Sequence, residues 1–225
     1  MDNQSLKNVR IIITAGPTRE YLDPVRYLSN ASSGKQGYAI ASAAAASGAD
    51  VTLISGPVNL SCLGELKFIN IETACEMLEQ LEQQLPADIV ICVAAISDFR
   101  PAHPSLQKIK KLPGQDCYNL ELIKNPDLLH IISSRTINRP RLVIGFAAET
   151  EDLLINAQKK LQDKQCDWIL ANDVSAGIGG DENQISLLNS AGTERWPRMS
   201  KDQVAQRLMT KISSFWRPGP ESNRR

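Results

Sequence analysis

The run DIVICVAA at positions 88–95 is almost wholly apolar, and no other segment constrains the fold as tightly. A strand with one wet face alternates polar and apolar residues. A run that is apolar throughout needs cover on both faces, which is the situation of a central parallel strand flanked by helices. Comparable β-rich runs stand at 9–14 (VRIIIT), 51–55 (VTLIS), 142–147 (LVIGFA) and 167–172 (DWILAN), with stretches of helical period between them. This rhythm predicts a Rossmann-like, doubly wound α/β fold: a mostly parallel sheet with helices on both faces. A chain of 225 residues is within what one hydrophobic core serves, so a single domain is expected.

Helix boundaries are also legible. An Ala-rich helix follows Gly34, and Thr73 with Glu76 has the spacing of a capping box ahead of a face made by Met77, Leu78, Leu81 and Leu85. Asn125-Pro126 reads as an N-cap with proline at the first helical position, opening a helix to about residue 135. Thr150, with Glu151 and Asp152 behind it, suits the start of a helix running to about Lys164. QISLLN (184–189) adds a strand, and Ser200 with Gln203 opens a last helix carrying Val204, Leu208 and Ile212. The segment 96–124 is broken by Pro101, Pro104, Pro113 and Gly114 and is expected to be irregular and flap-like. The tail RPGPESNRR (217–225) is expected to be disordered.

Twenty-five basic residues balance twenty-five acidic ones, so the chain lacks the cationic excess of a general nucleic-acid binder. The N-terminus is polar, and no apolar run approaches the roughly 20 residues of a membrane helix. Neither nucleic acid nor membrane is an expected partner, and a cytoplasmic location is. Cys62, Cys75, Cys92, Cys117 and Cys166 are odd in number, show no CxxC spacing and have only two histidines for company, which reads as reduced thiols.

Chemistry concentrates after the first strand, where Gly16 follows the strand and Gly34-x-x-Gly37 opens the helix. Backbone N–H groups at such a helix start favour an anion, although a tight turn with close helix–strand packing explains the same glycines. A P-loop is excluded, because Ser29 stands where glycine is needed and Gln36 follows Lys35 in place of a hydroxyl residue. A dinucleotide site wants an acid at the end of the second strand, or an arginine for a 2′-phosphate. That strand ends Ile54-Ser55-Gly56, so a dinucleotide-binding oxidoreductase is the second reading and a nucleotide-binding module without chemistry the third.

Taken in order, the segments ITAGPTREYLDPVRYLSNASSGKQGYAIA, AAISDFRP, KIKK, IKNPDLL, GFAAET and LANDV resemble those of phosphopantothenate–cysteine ligases of the bacterial, CTP-using type, from about residue 9 to 215. Ala31 departs from the bulkier residue frequent at that position and leaves Asn30 and the glycines intact. The resemblance implies a ligase of coenzyme A biosynthesis that uses CTP with Mg2+ to activate 4′-phosphopantothenate as an acyl-cytidylate. L-Cysteine then takes the acyl group, and CMP and pyrophosphate are the other products. It also implies a homodimer. This ligase is commonly fused behind a flavin-dependent phosphopantothenoylcysteine decarboxylase, whereas here the motif begins almost at Met1. The expected layout is therefore an extension at 1–8, a ligase domain at 9–216 and a tail at 217–225, with the decarboxylase as a separate, associating protein.

By the same resemblance Asn30 acts on the acyl-cytidylate, and Lys108, which begins KIKK, is the essential lysine. Gly16, Ser32, Gly34, Gly37, Ala94, Ala95 and Asp98 hold phosphopantothenate, and Arg26 reaches its phosphate across a dimer interface with a bidentate guanidinium. Ala94, Asp98, Lys108, Asn125, Pro126, Asp127, Leu128, Phe146, Lys160 and Lys164 hold CTP; no magnesium ligand is assigned. Plainer roles fit several of these residues equally: a solvated lysine-rich loop or helix face for Lys108, Lys160 and Lys164, a turn for Asn30, and a surface ion pair for Arg26. Lys160 and Lys164, at i,i+4 spacing, share a helix face. Asn172 and Asp173 end a strand on the same sheet edge and are supporting candidates.

Overall fold

Each apolar run forms a strand, and where a helix carries the chain back the next strand pairs in parallel. The computed structural model describes residues 4–111, 113–114, 116–149, 151–173, 180 and 182–216, with the backbone alone at 149 and 173. From the N-terminus, β1 (Arg10–Ala15) leads into a hairpin of β2 (Arg19–Asp23) and β3 (Arg26–Ser29), followed by α1 (Lys35–Ala46), β4 (Asp50–Ser55), β5 (Lys67–Asn70), α2 (Ala74–Gln83) and β6 (Ile89–Cys92). Next come a ribbon of β7 (Phe99–Pro101) and β8 (Leu122–Lys124), then α3 (Leu128–Ser133), β9 (Leu142–Glu149), α4 (Leu153–Lys164) and β10 (Trp168–Asp173). The chain closes with β11 (Glu182–Asn183), β12 (Ile185–Asn189), β13 (Gly192–Arg195), β14 (Met199–Ser200) and α5 (Lys201–Trp216).

The eight-stranded sheet has the order β13-β12-β10-β9-β6-β1-β4-β5. Its six strands from β10 to β5 pair in parallel, while β12 and β13 add an antiparallel edge. β6 lies between β1 and β9, with Ile89, Val90 and Ile91 inaccessible to solvent. Alternation explains the unbroken apolar run. Ile11, Ile13, Ile89 and Ile91 pack with Ile40 and Ala44 of α1 and Leu208 of α5, whereas Ile12 and Val90 face the layer of α2, α3 and α4. The mostly parallel, doubly wound architecture is thus as expected.

Both anticipated capping boxes are present. Thr73 Oγ1 accepts from the Glu76 N–H at 3.2 Å while Glu76 Oε2 accepts from the Thr73 N–H at 3.3 Å. Ser200 and Gln203 make the same exchange at 3.2 and 2.9 Å. On α2, Met77 and Leu81 are buried, with Leu78 half-buried beside them and Leu85, just past the end of the helix, half-buried as well; each of the two buried side chains contributes about 1.5–3 kcal/mol of transfer free energy.

Four details differ from expectation. The loop after β1 contains the β2–β3 hairpin, and the 96–124 segment is closed at its base by the β7–β8 ribbon. Asn125 is not an N-cap: its Nδ2 donates to the Ser97 carbonyl at 2.7 Å and its Oδ1 accepts from Arg100 at 3.2 Å. Asp127 caps α3 instead, accepting from the His130 N–H at 3.1 Å. Asp152 stands at the N-cap of α4 with φ 48° and makes no side-chain cap. Thr150 and the tail 217–225 lie outside the described residues. All five cysteines are free thiols, and among the described residues no helix is long and apolar enough to cross a membrane.

Candidate active site

α1 begins where the chain leaves the edge of β1, and its start is built from glycine for steric reasons. Gly34, the N-cap, has φ 72° and brings no capping side chain. A Cβ on Gly37 would stand 2.5 Å from Ala15 Cβ, so only glycine lets α1 lie this close to β1. Gly16 sits directly behind Gly34, its Cα 3.4 Å from where a Gly34 Cβ would be. The first turn of α1 therefore presents backbone N–H groups and the positive end of the helix dipole at the C-terminal edge of the sheet.

This helix start forms one wall of a cavity of about 780 Å3. Asn30, Ser32 and Gly34 belong to that wall, Ala94, Ala95 and Phe146 to the floor at the ends of β6 and β9, and Lys160 enters from α4. The far wall is Asn172, Asn183, Arg198 and Lys201. Lys35, Lys160, Arg198 and Lys201 give the lining four cations against one carboxylate among the described residues, that of Glu182, which pairs with Arg198 at 2.9 Å. Among the described residues the lining is thus rich in cationic side chains.

Among the sequence-predicted residues the cavity gathers Asn30, Ser32, Gly34, Gly37, Ala94, Ala95, Phe146 and Lys160. Lys160 Nζ donates to the Phe146 carbonyl at 2.9 Å, which ties α4 to β9. One turn on, Lys164 forms an ion pair with Asp127, the cap of α3. Burial opposes ionisation of Asp127, but the bonds from Lys164 and from the His130 N–H outweigh it and hold the carboxyl below its ordinary range. Asn125, Pro126, Asp127, Leu128 and Lys164 thus form a separate group around the α3 cap, with Leu128 buried in the core. Asp98 joins this group through its carbonyl, which accepts from the Asn125 N–H at 2.8 Å.

Arg26 and Lys108 lie elsewhere. Arg26 pairs with Asp23 and lines a smaller cavity of about 340 Å3 with Leu22, Ile109, Lys110, Lys111 and Tyr118. Lys108 is exposed beside that cavity, on neither lining. Residues that sequence reasoning passed over complete the main cavity: Lys35, Gln36, Asn183, Arg198 and Lys201. Only Lys35 and Gln36, inside the Gly34-x-x-Gly37 spacing, carried any sequence signal.

The end of β4 bears on the oxidoreductase reading. Ser55 is buried there, accepting from Tyr38 Oη at 3.1 Å and donating to the Gly56 carbonyl at 2.8 Å, so this strand end offers a ribose a hydroxyl already engaged and no carboxylate.

Fold and site together define an open α/β domain with a cationic, nucleotide-sized cavity at the carboxyl edge of its strands. Residues 6–215 match the family described as "DNA/pantothenate metabolism flavoprotein C-terminal domain", and the chain belongs to that family. It is 43% identical over 214 residues to the "Coenzyme A biosynthesis bifunctional protein CoaBC" of Vibrio vulnificus, a match that takes in 93% of this chain and 53% of that protein. The chain spans about half the length of the curated relatives it matches. The crystal structure of the C-terminal domain of a protein of that name superposes with TM-score 0.79 at 36% identity, covering 94% of this chain and 97% of the other. A Cab2 mutant in complex with phosphopantothenate-cysteine shares the fold at TM-score 0.71 and 16% identity, over 93% and 88% of the two chains.

Proposed function

We propose that this chain is the ligase of coenzyme A biosynthesis that activates 4′-phosphopantothenate with CTP and condenses it with L-cysteine. The observation that carries the reading is the meeting of Asn30, the uncapped start of α1 and Lys160 around one cationic cavity. The coenzyme A role named for the CoaBC relatives and the phosphopantothenate-cysteine bound by the Cab2 relative support it.

In the first step the substrate carboxylate attacks the α-phosphorus, a P–O bond forms, and the bond to pyrophosphate breaks. Charge grows on the phosphoryl and leaving oxygens, where preorganised cations and N–H groups lower the barrier. Lys160 and the first turn of α1 stand on the cavity for this purpose, and Lys108 is the cation assigned to the attack itself. In the second step the cysteine amine attacks the acyl carbon and CMP leaves. Asn30, with both a donor and an acceptor, orients the anhydride. Among the described residues the one carboxylate on the lining is paired with Arg198, and no group of three ligating side chains gathers. A magnesium ion would be held chiefly by the nucleotide's own phosphates, whose charge it would offset.

We also read the protein as a homodimer. Val25, Tyr27, Phe99, Leu122 and Ile123 are exposed apolar side chains on the adjoining hairpin and ribbon, which suits an interface with a second copy that receives Arg26. The product is an acyl-cysteine whose carboxyl a decarboxylase removes, either in the remaining half of a longer chain or in a separate protein. Mass spectrometry of the products from phosphopantothenate, cysteine and either CTP or ATP tests the reading. Phosphopantothenoylcysteine with CMP, formed faster from CTP than from ATP, is expected; no amide product with either nucleotide contradicts it.

A further inference from the structure

Asp23 ends β2 beside the exposed Pro24 and Val25, yet it is only 1% accessible. Five donors converge on its two oxygens. Oδ1 accepts from the backbone N–H groups of Val25 and Arg26, each at 2.9 Å. Oδ2 accepts from two nitrogens of the Arg26 guanidinium, with Nε at 2.9 Å, and from the backbone N–H of Ile109 at 3.1 Å. The same guanidinium donates to the Ile109 carbonyl at 2.7 Å. One ion pair therefore grips Ile109 by both its N–H and its C=O, and Ile109 is the residue between Lys108 and Lys110.

We propose that Asp23 is a positioning residue that acts through Ile109, fixing the Lys108 loop against Arg26 so that the two cations reach the substrates' phosphates in one arrangement. The proposal rests on the ligase reading, in which Lys108 and Arg26 serve those phosphates. A turn would need only the Val25 and Arg26 N–H groups, and a surface ion pair only the guanidinium. The bonds to Ile109 join segments 86 positions apart and belong to neither. Five donors also demand a carboxylate, because an amide in its place would turn N–H groups toward other N–H groups. The Arg26 guanidinium holds the Asp23 carboxyl well below the usual carboxylate range. With its folded pKa depressed, the anchorage is complete above the ordinary carboxylate pKa of about 4 and is lost only as pH falls through the lowered value. A second tie, from the Ser105 N–H to the Leu22 carbonyl at 2.8 Å, does not involve the carboxylate and remains when Asp23 is replaced.

The test combines hydrogen exchange with a double-mutant cycle on the full chain. In Asp23→Asn, amide exchange over residues 106–111 should accelerate about tenfold or more with the sheet unchanged, and pyrophosphate release from CTP and phosphopantothenate should slow about tenfold. Introduced into Lys108→Ala, Asp23→Asn should cause a clearly smaller further loss, the part that runs through Arg26, which a general structural defect would not reproduce. If Asp23→Asn fails to fold, Ile109→Pro deletes the N–H that Asp23 accepts while leaving the Asp23–Arg26 pair in place, and should give the same faster exchange at Lys110 and a loss of the same direction. Unchanged exchange in these variants overturns the anchor, and equal losses with and without Lys108 overturn its route through that lysine. A wild-type chain with no ligase activity overturns the ligase reading itself, and the exchange result still decides the anchor separately.

Discussion

Asn183 Nδ2 donates to Gln36 Oε1 at 2.9 Å, across 147 positions of sequence, and the direction of that bond is imposed from outside the pair. Gln36 Nε2 donates to the Lys201 carbonyl at 3.1 Å, and a carbonyl can only accept. Gln36 must then offer its oxygen to Asn183, and Asn183 must offer its own to Asn172 Nδ2, at 3.3 Å. The chain ends on Asn172 Oδ1, which is buried and unpartnered among the described residues. Three amides are thereby locked in one orientation between the start of α1 and Asn172.

Replacing the middle amide should break this lock. Asn183→Ala leaves Gln36 Oε1 and Asn172 Nδ2 without their partner, an expected cost of about 1 kcal/mol given partial solvent access. Thermal unfolding should show a lower Tm; an unchanged Tm means that water replaces the amide at no cost.

Gly37→Ala should be harmful for a different reason. The added methyl would lie 2.5 Å from Ala15 Cβ and 3.2 Å from Ala15 Cα, so α1 must lift from β1. Overpacking of this kind costs about 1–3 kcal/mol. Urea denaturation measures it, and a variant as stable as the parent would show that the helix shifts freely.

Much of the fold was legible because burial leaves a mark on composition. Ile89, Val90 and Ile91 announce a strand covered twice, and Thr73 and Ser200 announce helix starts. The hairpin and the ribbon left no such mark: REYLD, RYLS, FRP and LIK are short, the last three are largely exposed, and the buried positions of the first are the carboxylates Glu20 and Asp23, so no apolar alternation arises. At Asn125 a local pattern was outbid by tertiary bonds to Ser97 and Arg100, so the cap passed to Asp127. The glycine wall of the site could be read because its constraint is local. Gln36, Asn183 and Lys201 could not, since they meet through bonds spanning 147 and 165 positions.

Lys108→Ala should separate chemistry from stability. The side chain is exposed, so unfolding should be unaffected, whereas loss of a cation from the first step should lower kcat about 100-fold or more. Steady-state rates beside a melting curve check this. Wild-type turnover would assign Lys108 to the solvent.

Asn30→Asp should divide the reaction. An anion beside the anionic anhydride hinders the second step most, so bound acyl-cytidylate should accumulate and pyrophosphate release should stop after about one turnover. Quenched samples examined by mass spectrometry would contain that species. Wild-type turnover, or binding of both substrates with no pyrophosphate released, removes Asn30 from this role.

Acyl activation by CTP in the cavity at the start of α1 leaves a direct chemical trace. Its most direct measurement is pyrophosphate release by the wild-type chain from CTP and phosphopantothenate with cysteine left out. A burst of about one equivalent per site is expected, dependent on phosphopantothenate and becoming continuous turnover when cysteine is added. Pyrophosphate appearing only when cysteine is present, or at the same rate without phosphopantothenate, would contradict it.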